Sequence, residues 1–317
     1  TVAVHDDRFY TTLAAGGAVG ASEAYMQGMW TCDQLTLLIQ VLLRNTSVLG
    51  GLGNAAYKKP LYKLLHLMNR DSVHGSKKNI AAHYDLGNKL FENFLDPTMT
   101  YSSGFFEKPD ATMQQASTAK LDRICQKLGL SESDHVVEIG TGWGSFALHA
   151  ARNYNCKITT TTISEEQYQL ACQRVEDAGM QDRIEIVKKD YRLLTGQYDK
   201  LVSIEMIEAV GLAYLGNYFE KCASLLKPTG KMLIQAITIA DQHYEFSKRN
   251  VDFIQRYIFP GGALPSVTAL TNIATNETDL RMTALEDITE HYAATLRKWR
   301  EKFYLNVEQI TQLGYDN

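Results

Sequence analysis

Short apolar segments rich in β-branched residues alternate with amphipathic segments over the C-terminal two thirds of the chain. The apolar segments predict five strands, at residues 135–139, 157–163, 184–187, 200–204 and 231–237. One of the helical patterns between them begins at Ser164, whose spacing to Gln167 predicts a capping box, and ends at Gly179. Strands that alternate with helices at short spacing are typical of a parallel sheet. We therefore expect an α/β fold with helices on both faces of the sheet.

The first 75 residues have a different pattern. Apolar residues from Leu35 to Leu43 fall at helical spacing, and a glycine-rich break follows them. Residues 61–68 form a second amphipathic pattern, flanked by Lys58, Lys59 and Lys63. A basic amphipathic helix can lie on a membrane surface, or it can face a protein core with its lysines outside. The sequence predicts a small N-terminal helical domain over residues 1–75, which could dock on a membrane, and a larger domain over residues 76–317.

The basic residues are unevenly distributed. Between Arg44 and Lys78 there are seven basic residues and a single acid, Asp71, although the whole chain carries a formal charge of −4. A basic segment on an acidic chain indicates an anionic partner, either a membrane or a nucleic acid, unless it is only a solvated helix face.

Hydrophobic residues make up 45% of the chain and charged residues 21%, as in an ordinary globular protein. The five cysteines are scattered, without a CxxC motif or a His/Cys cluster, so we expect neither a disulfide framework nor a metal site. No apolar run approaches the ~20 residues that a membrane-spanning helix requires. With no secretory signal recognised, these features favour the reducing cytoplasm.

Three glycines, Gly140, Gly142 and Gly144, separate the first strand of the sheet from the helix that follows it. At the carboxyl end of a parallel strand, glycines let a ligand approach the backbone closely. The spacing is GxGxG and not the GxGxxG of dinucleotide-binding folds, which favours S-adenosylmethionine (SAM) over NAD. A tight turn without a ligand is the alternative.

Polar residues follow the next two strands. Thr162 and Gln167 follow the second strand, where many nucleotide-binding folds contact ribose hydroxyls. Tyr191 and Arg192 follow the third strand, where they would border an adenine. Each of these residues could instead be an ordinary capping or loop residue.

Two carboxylates follow the fourth strand. Glu205 and Glu208 lie three residues apart, among the apolar residues Met206, Ile207 and Ala209. An acid held in apolar surroundings at the mouth of a sheet indicates a functional group, with a cap or a salt bridge as the alternative.

Several longer segments resemble the cyclopropane fatty acid synthases, a family that includes the mycolic acid cyclopropane synthases. The segments, in family order, are His83–Asn88, Leu95–Phe106, the glycine loop and Tyr257–Ser266. The resemblance runs from about residue 76 to the C-terminus, and the N-terminal unit resembles the small extra domain of the phospholipid-acting branch. It implies a Rossmann-like, SAM-dependent methyltransferase that transfers a one-carbon unit to a double bond of an unsaturated fatty acyl chain, in membrane phospholipid.

The resemblance also implies roles for single residues. Tyr101 and Ser102 would contact the carboxylate of SAM, and a bicarbonate in an anion pocket would act as the base. That pocket would be lined by Glu208, by Tyr292, by Ser103 in place of the usual cysteine and by Gln235 in place of the usual histidine. Because glutamine donates hydrogen bonds but cannot carry a positive charge, bicarbonate should bind more weakly or in a different arrangement.

The sequence therefore predicts SAM binding and electrophilic attack on the double bond, but it does not determine whether the ring closes. If the cation on the chain loses its proton elsewhere, the product is a methyl-branched or methylene-bearing chain, as a likeness to furan fatty acid methyltransferases implies. A lipid-binding module with an inactive site is the non-enzymatic alternative. A nucleic-acid methyltransferase is disfavoured, because no base-flipping signature follows the fourth strand.

The resemblance and the basic segment together predict the partners of the protein. We expect unsaturated phospholipid chains and an anionic membrane surface, no nucleic acid, and a peripheral location on the inner face of the membrane. A homodimer is compatible with the sequence. No closing antiparallel strand is recognised after Tyr292.

Overall fold

The computed structural model describes residues 1–45 and 86–315. The strands are β1 (Val2–Val4), β2 (Trp30–Cys32), β3 (His135–Ile139), β4 (Lys157–Thr162), β5 (Ile184–Lys188), β6 (Tyr198–Ile204) and β7 (Leu226–Gln235). The helices are α1 (Arg8–Met26), α2 (Leu35–Arg44), α3 (Asn88–Phe94), α4 (Met113–Leu128), α5 (Ser145–Tyr154), α6 (Glu165–Asp177), α7 (Leu215–Leu225), α8 (Asp241–Arg249), α9 (Val267–Glu277), α10 (Thr289–Leu305) and α11 (Val307–Gln312).

Two compact units make up the described part of the chain. One comprises residues 1–45 with 241–263, and the other comprises residues 86–240 with 264–315. The predicted helix over 61–68 and the predicted division near residue 75 lie outside the described residues, so both stay predictions. The grouping of residues 241–263 with the N-terminal segment was not foreseen from the sequence.

The first unit contains a short antiparallel sheet in addition to helices. β1 pairs with β2 through Val2 with Cys32 and Val4 with Trp30. Trp30 is buried, and its indole N–H donates to the carbonyl of Ala21 in α1 at 2.9 Å. The later segment of this unit is joined to α1 by Glu23, whose carboxylate accepts the hydroxyl of Tyr257 at 2.7 Å.

The second unit is built on a five-stranded parallel sheet with the order β5-β4-β3-β6-β7. All five strands predicted from the apolar segments are present, and only their ends differ. The largest difference is at β7, which begins at Leu226 because that residue already pairs with Tyr198 across a register shift. Strand order reverses between β3 and β6, and ligands of open α/β sheets bind at such a point.

Helices cover both faces of this sheet, as predicted. On one face α4 and α5 pack on the strands through a buried cluster that includes Ile124 and Phe146. On the other face α7 and α9 contribute Phe219 and Ala274 to a second cluster. The fold is therefore Rossmann-like, with its ligand edge at the carboxyl ends of the strands.

No antiparallel strand closes the sheet among residues 86–315; after Tyr292 the described chain continues as α10 and α11. Within the same described ranges, no helix is both long and apolar enough to cross a membrane.

Candidate active site

Most of the predicted site residues lie at the ends of strands in the second unit, at one edge of its sheet; Tyr101, Ser102 and Ser103 precede the sheet and Tyr292 lies in α10. The glycines follow β3, Thr162 ends β4, the Asp190 turn follows β5, Glu205 follows β6 and Gln235 ends β7. Because all five strands are parallel, their carboxyl ends lie at the same edge.

The glycine loop needs glycine for its conformation. The φ angles of Gly140, Gly142 and Gly144 are +100°, +52° and +83°, in a region that other residues rarely adopt. The amide N–H groups of Gly140 and Thr141 both donate to the carbonyl of Thr161, which ties the loop to the end of β4. A Cβ on Gly142 would meet no atom within 4 Å, so that position is open beside the backbone.

Thr162 and Gln167 form a buried polar pair. The Thr162 hydroxyl donates to Gln167 Oε1 at 2.8 Å, and the amide of Gln167 donates to Ser164 Oγ at 3.3 Å. The predicted N-cap is thus present, but the Gln167 side chain turns to Thr162 and does not complete a capping box. The pair presents a fixed amide at the end of β4.

Tyr191 and Arg192 are held by local contacts. Tyr191 packs edge-to-face on Tyr218 with ring centroids 5.3 Å apart. The Arg192 guanidinium forms an ion pair with Asp190 at 2.6 Å. Both residues therefore have fixed positions beside β5, and their contact with an adenine stays a prediction.

Tyr101 and Ser102 have different surroundings. Tyr101 lies in an aromatic cluster with Phe91, Phe94 and Trp299. Ser102 is buried, and its hydroxyl accepts a hydrogen bond from Lys120 at 2.7 Å.

The segment after Ser103 is fastened by α10 through two contacts that the sequence did not reveal. The amide of Gly104 donates to Thr295 Oγ1 at 3.0 Å, and the amide of Phe106 donates to His291 Nδ1 at 3.1 Å. Both pairs join residues nearly two hundred positions apart, so no local pattern could have indicated them.

Ser103 and Gln235 meet at Glu205 and not at Glu208. The Ser103 amide and the Gln235 side-chain amide each donate to Glu205 Oε1 at 2.8 Å. Gln235 Nε2 also lies 3.3 Å from the carbonyl of Ser103. Glu205 has a φ of +47°, and an unusual backbone conformation of this kind is common at functional sites. The sequence identified Glu205 only as one of two carboxylates, and the structure places it at the centre of the group.

Glu208 adjoins this group as a second acid. Its Oε1 accepts the amide of Ile237, whereas its buried Oε2 has no hydrogen-bond partner among the described residues. Desolvation, followed by the charge of Glu205, raises the pKa of Glu208 to about 8. Desolvation also raises the pKa of Glu205.

Tyr292 completes the group from α10. Burial raises the pKa of its phenol, and the charges of Glu205 and Glu208 raise it further. The tyrosine is therefore within electrostatic reach of both carboxylates, and it remains a neutral hydrogen-bond donor at physiological pH. Of the four predicted catalytic residues, Ser103 and Gln235 therefore contact Glu205 directly, and Glu208 and Tyr292 interact with it electrostatically.

A second buried group lies behind the site. Lys120 in α4 and Glu138 in β3 are both 2% exposed, and Thr160 Oγ1 donates to Glu138 at 2.6 Å. Burial raises the pKa of Glu138 to about 8. Lys120 was missed because it lies in a helical pattern where a lysine normally faces solvent. Among the described residues no cluster of His, Cys, Asp and Glu is arranged to hold a metal ion.

Comparison with known proteins gives a consistent result. The family model of mycolic acid cyclopropane synthetase matches residues 72–317. The tuberculostearic acid methyltransferase UfaA1 of Mycobacterium tuberculosis is 39% identical over an alignment of 318 residues, gaps included, which covers 98% of this chain and 74% of that protein. The cyclopropane-fatty-acyl-phospholipid synthase of Escherichia coli is 35% identical over 310 residues, which cover 95% and 76%.

Solved structures agree with the sequence relatives. The cyclopropane synthase MmaA2 from Mycobacterium tuberculosis superposes with a TM-score of 0.70 at 26% identity, covering 75% of this chain and 86% of that one. The mycolic acid cyclopropane synthase CmaA1, solved with SAH and CTAB, superposes with a TM-score of 0.69 at 30% identity and the same coverage.

Proposed function

Because this chain belongs to the mycolic acid cyclopropane synthetase family and is a SAM-dependent methyltransferase, we propose that it transfers a one-carbon unit from SAM to a double bond of an unsaturated acyl chain in membrane phospholipid. The main structural support for this proposal is that Ser103 and Gln235 both donate hydrogen bonds to Glu205 at the edge of the sheet. A cationic chain needs a base next to it, and this group supplies a carboxylate that is held in place.

The residues at the sheet edge suit SAM. The open backbone at Gly142 accommodates a close ligand, the Thr162–Gln167 pair offers an amide to the ribose hydroxyls, and Tyr191 and Arg192 border the adenine. When bound, SAM supplies an electrophilic methyl group. An alkene is a weak nucleophile, so the chain's own contribution is to hold the two reactants together in a site from which water is excluded.

Proton removal falls to the carboxylates. Transfer of the methyl group would break its bond to the sulfonium sulfur of SAM, which leaves as a neutral thioether, and would form one C–C bond with the electron pair of the alkene, so that the positive charge passes to the acyl chain. Loss of one proton to a base then gives a neutral product that is one CH2 heavier than the substrate. Glu205, oriented by Ser103 and Gln235, accepts this proton, and Glu208 and Tyr292 stand beside it.

A second candidate concerns the product. The family resemblance assigns Ser103 and Gln235 to a bound bicarbonate, yet here both donate to Glu205 Oε1. The protein's own carboxylate therefore takes the hydrogen bonds that the anion would receive. This favours a bicarbonate-independent enzyme whose product keeps a carbon–carbon double bond, either as a methylene group or next to a methyl branch, in line with its 39% identity to a protein named tuberculostearic acid methyltransferase.

The membrane partner is also part of the proposal. The basic residues between Arg44 and Lys78 would dock the protein on the anionic inner face of the membrane as a peripheral protein, which brings the acyl chain to the site. A measurement of the oligomeric state in solution would show whether one chain or a homodimer docks on the membrane.

The experiment is lipid mass spectrometry of a host that expresses the protein and receives methyl-labelled methionine. We expect a label-bearing acyl chain one CH2 heavier than its unsaturated precursor. A host expressing Gly142→Val serves as the matched control. Ozonolysis then separates the products, because a methylene chain is cleaved and a cyclopropane chain is not. Label confined to other molecules would contradict the proposal.

A further inference from the structure

Lys120 is a buried cation next to the candidate active site. It lies in α4 with 2% of its surface exposed, and its Nζ donates to the hydroxyl of Ser102 at 2.7 Å. A buried ammonium with only neutral partners is strongly disfavoured, so neighbouring negative charge must stabilise it.

Three acids act on Lys120 electrostatically, each when it is ionised. Burial lowers the pKa of Lys120 to about 8, while the charges of Glu205, Glu138 and Asp96 act in the opposite direction. Glu138 also accepts the hydroxyl of Thr160, and Asp96 accepts the hydroxyl of Ser117 at 2.7 Å. Lys120 therefore lies within the field of Glu205 and of two acids that have polar partners of their own.

Glu205 differs from Glu138 and Asp96 because it is itself the proposed proton acceptor. Burial raises its pKa, and the donors Ser103 and Gln235 together with the charge of Lys120 lower it. Among residues 1–45 and 86–315, Glu208 after β6 and Tyr292 on α10 also interact with it electrostatically, and neither carries a positive charge. Lys120 on α4 is thus the cation that favours the ionised carboxylate.

Lys120 is also connected to Glu205 through the chain. Its Nζ holds the side chain of Ser102, and the next residue, Ser103, donates its amide to Glu205. One ammonium thereby acts on Glu205 both through its charge and through the segment that supplies a hydrogen bond.

We propose that Lys120 is a positioning residue of the transfer reaction, whose buried ammonium keeps Glu205 ionised and holds the Ser102–Ser103 segment against it. The inference rests on the proposed function, since it is there that Glu205 acts as a base. Lys120 does not touch the reacting atoms and acts through Glu205.

The test compares Lys120→Met, which removes the charge, with Lys120→Arg, which keeps it. Lys127→Met on the exposed side of the same helix is the matched control, because Lys127 pairs with Glu286 at the surface. In a vesicle assay with labelled SAM, the acid limb of the pH–rate profile should move up by about one pH unit or more in Lys120→Met. It should stay in place in Lys120→Arg and Lys127→Met.

An infrared measurement gives a second readout that does not need activity. The C=O stretch of a protonated buried carboxyl, assigned to Glu205 by its loss in Glu205→Gln, should be stronger in Lys120→Met than in the wild type at neutral pH. If Lys120→Met does not fold, Lys120→Gln keeps a donor for Ser102 without the charge and replaces it.

An unmoved acid limb together with an unchanged Glu205 band would overturn the inference, and so would equal effects of Lys120→Arg and Lys120→Met. Absence of lipid methylation by the wild-type protein would instead overturn the proposed function. The infrared band would then still decide whether Lys120 controls the ionisation of Glu205.

Discussion

Replacement of Glu205 by glutamine tests the proposed base with little change of shape. Glutamine keeps an oxygen that can accept the amide of Ser103 and the side chain of Gln235, both at 2.8 Å in the structure. It removes the negative charge and the ability to accept a proton. The substitution therefore separates the chemical role of Glu205 from its role in holding the site together.

The expected losses of rate and of stability in Glu205→Gln follow from its roles as a base and as a hydrogen-bond acceptor. Loss of a general base typically lowers the rate by ~10²–10⁴, which corresponds to about 3–5 kcal/mol of transition-state stabilisation. Stability should change by less than about 2 kcal/mol, because the weaker hydrogen bonds of a neutral acceptor are offset by removal of a buried charge. A large loss of rate with a nearly unchanged melting temperature is the predicted combination.

The assay measures transfer of labelled methyl from SAM to unsaturated phospholipid in vesicles, with SAM affinity determined by calorimetry. Glu220→Gln, at an exposed position of α7, is the matched control and should leave both quantities unchanged. Glu205→Gln should bind SAM normally and turn over slowly. Near wild-type turnover in Glu205→Gln, combined with a large loss in Glu208→Gln, would refute the assignment of Glu205 and return the role to its neighbour.

Three further predictions concern the cofactor, the acid pair and the membrane. Gly142→Val should abolish SAM binding, because valine strongly disfavours a φ of +52° and its side chain would fill the open position; unchanged affinity by calorimetry would contradict this. The pKa of Glu208 is raised to about 8 in the folded protein, so its protonated carboxyl stabilises the folded state at low pH, and this stabilisation is lost as the pH rises towards 8. Calorimetry should therefore show a smaller loss of melting temperature between pH 5 and 8 in Glu208→Gln than in the wild type. Reversing the charges of Lys58, Lys59 and Lys63 should weaken binding to anionic vesicles at low salt, by ~1 kcal/mol per lysine, without changing SAM affinity; equal sedimentation of variant and wild type with the vesicles would argue against docking.

The elements of the sheet could be predicted because each strand and helix is specified locally. The β-branched run at 135–139 and the glycines after it indicate a strand and a ligand-binding turn without knowledge of the rest of the chain. For the same reason the local pattern placed Thr162 at the end of its strand and Gln167 in the first turn of the helix that follows. Ser164 also caps its helix as predicted, although the Gln167 side chain bonds to Thr162.

The centre of the site could not be predicted because contacts between distant residues form it. The family resemblance implied a pocket lined by Glu208, Tyr292, Ser103 and Gln235. The structure adds Glu205, which accepts hydrogen bonds from Ser103 and Gln235 although more than a hundred positions separate it from Ser103. The positive φ of Glu205 gives no signal, since glutamate is not typical of that conformation. Lys120 was also missed, because a lysine in an amphipathic helix normally faces solvent, whereas here it is buried and interacts with acids from distant parts of the chain.

Methyl transfer by the purified wild-type protein, in buffer freed of carbon dioxide and bicarbonate, tests most directly whether Glu205 acts as the base. The substrates are labelled SAM and vesicles of an unsaturated, anionic phospholipid. We expect label to enter the acyl chains at a rate that added bicarbonate does not change, because Glu205 accepts the hydrogen bonds that the anion would receive. A rate that vanishes without bicarbonate and returns with it would contradict the role given to Glu205, and label absent from the acyl chains in both buffers would contradict the proposed function itself.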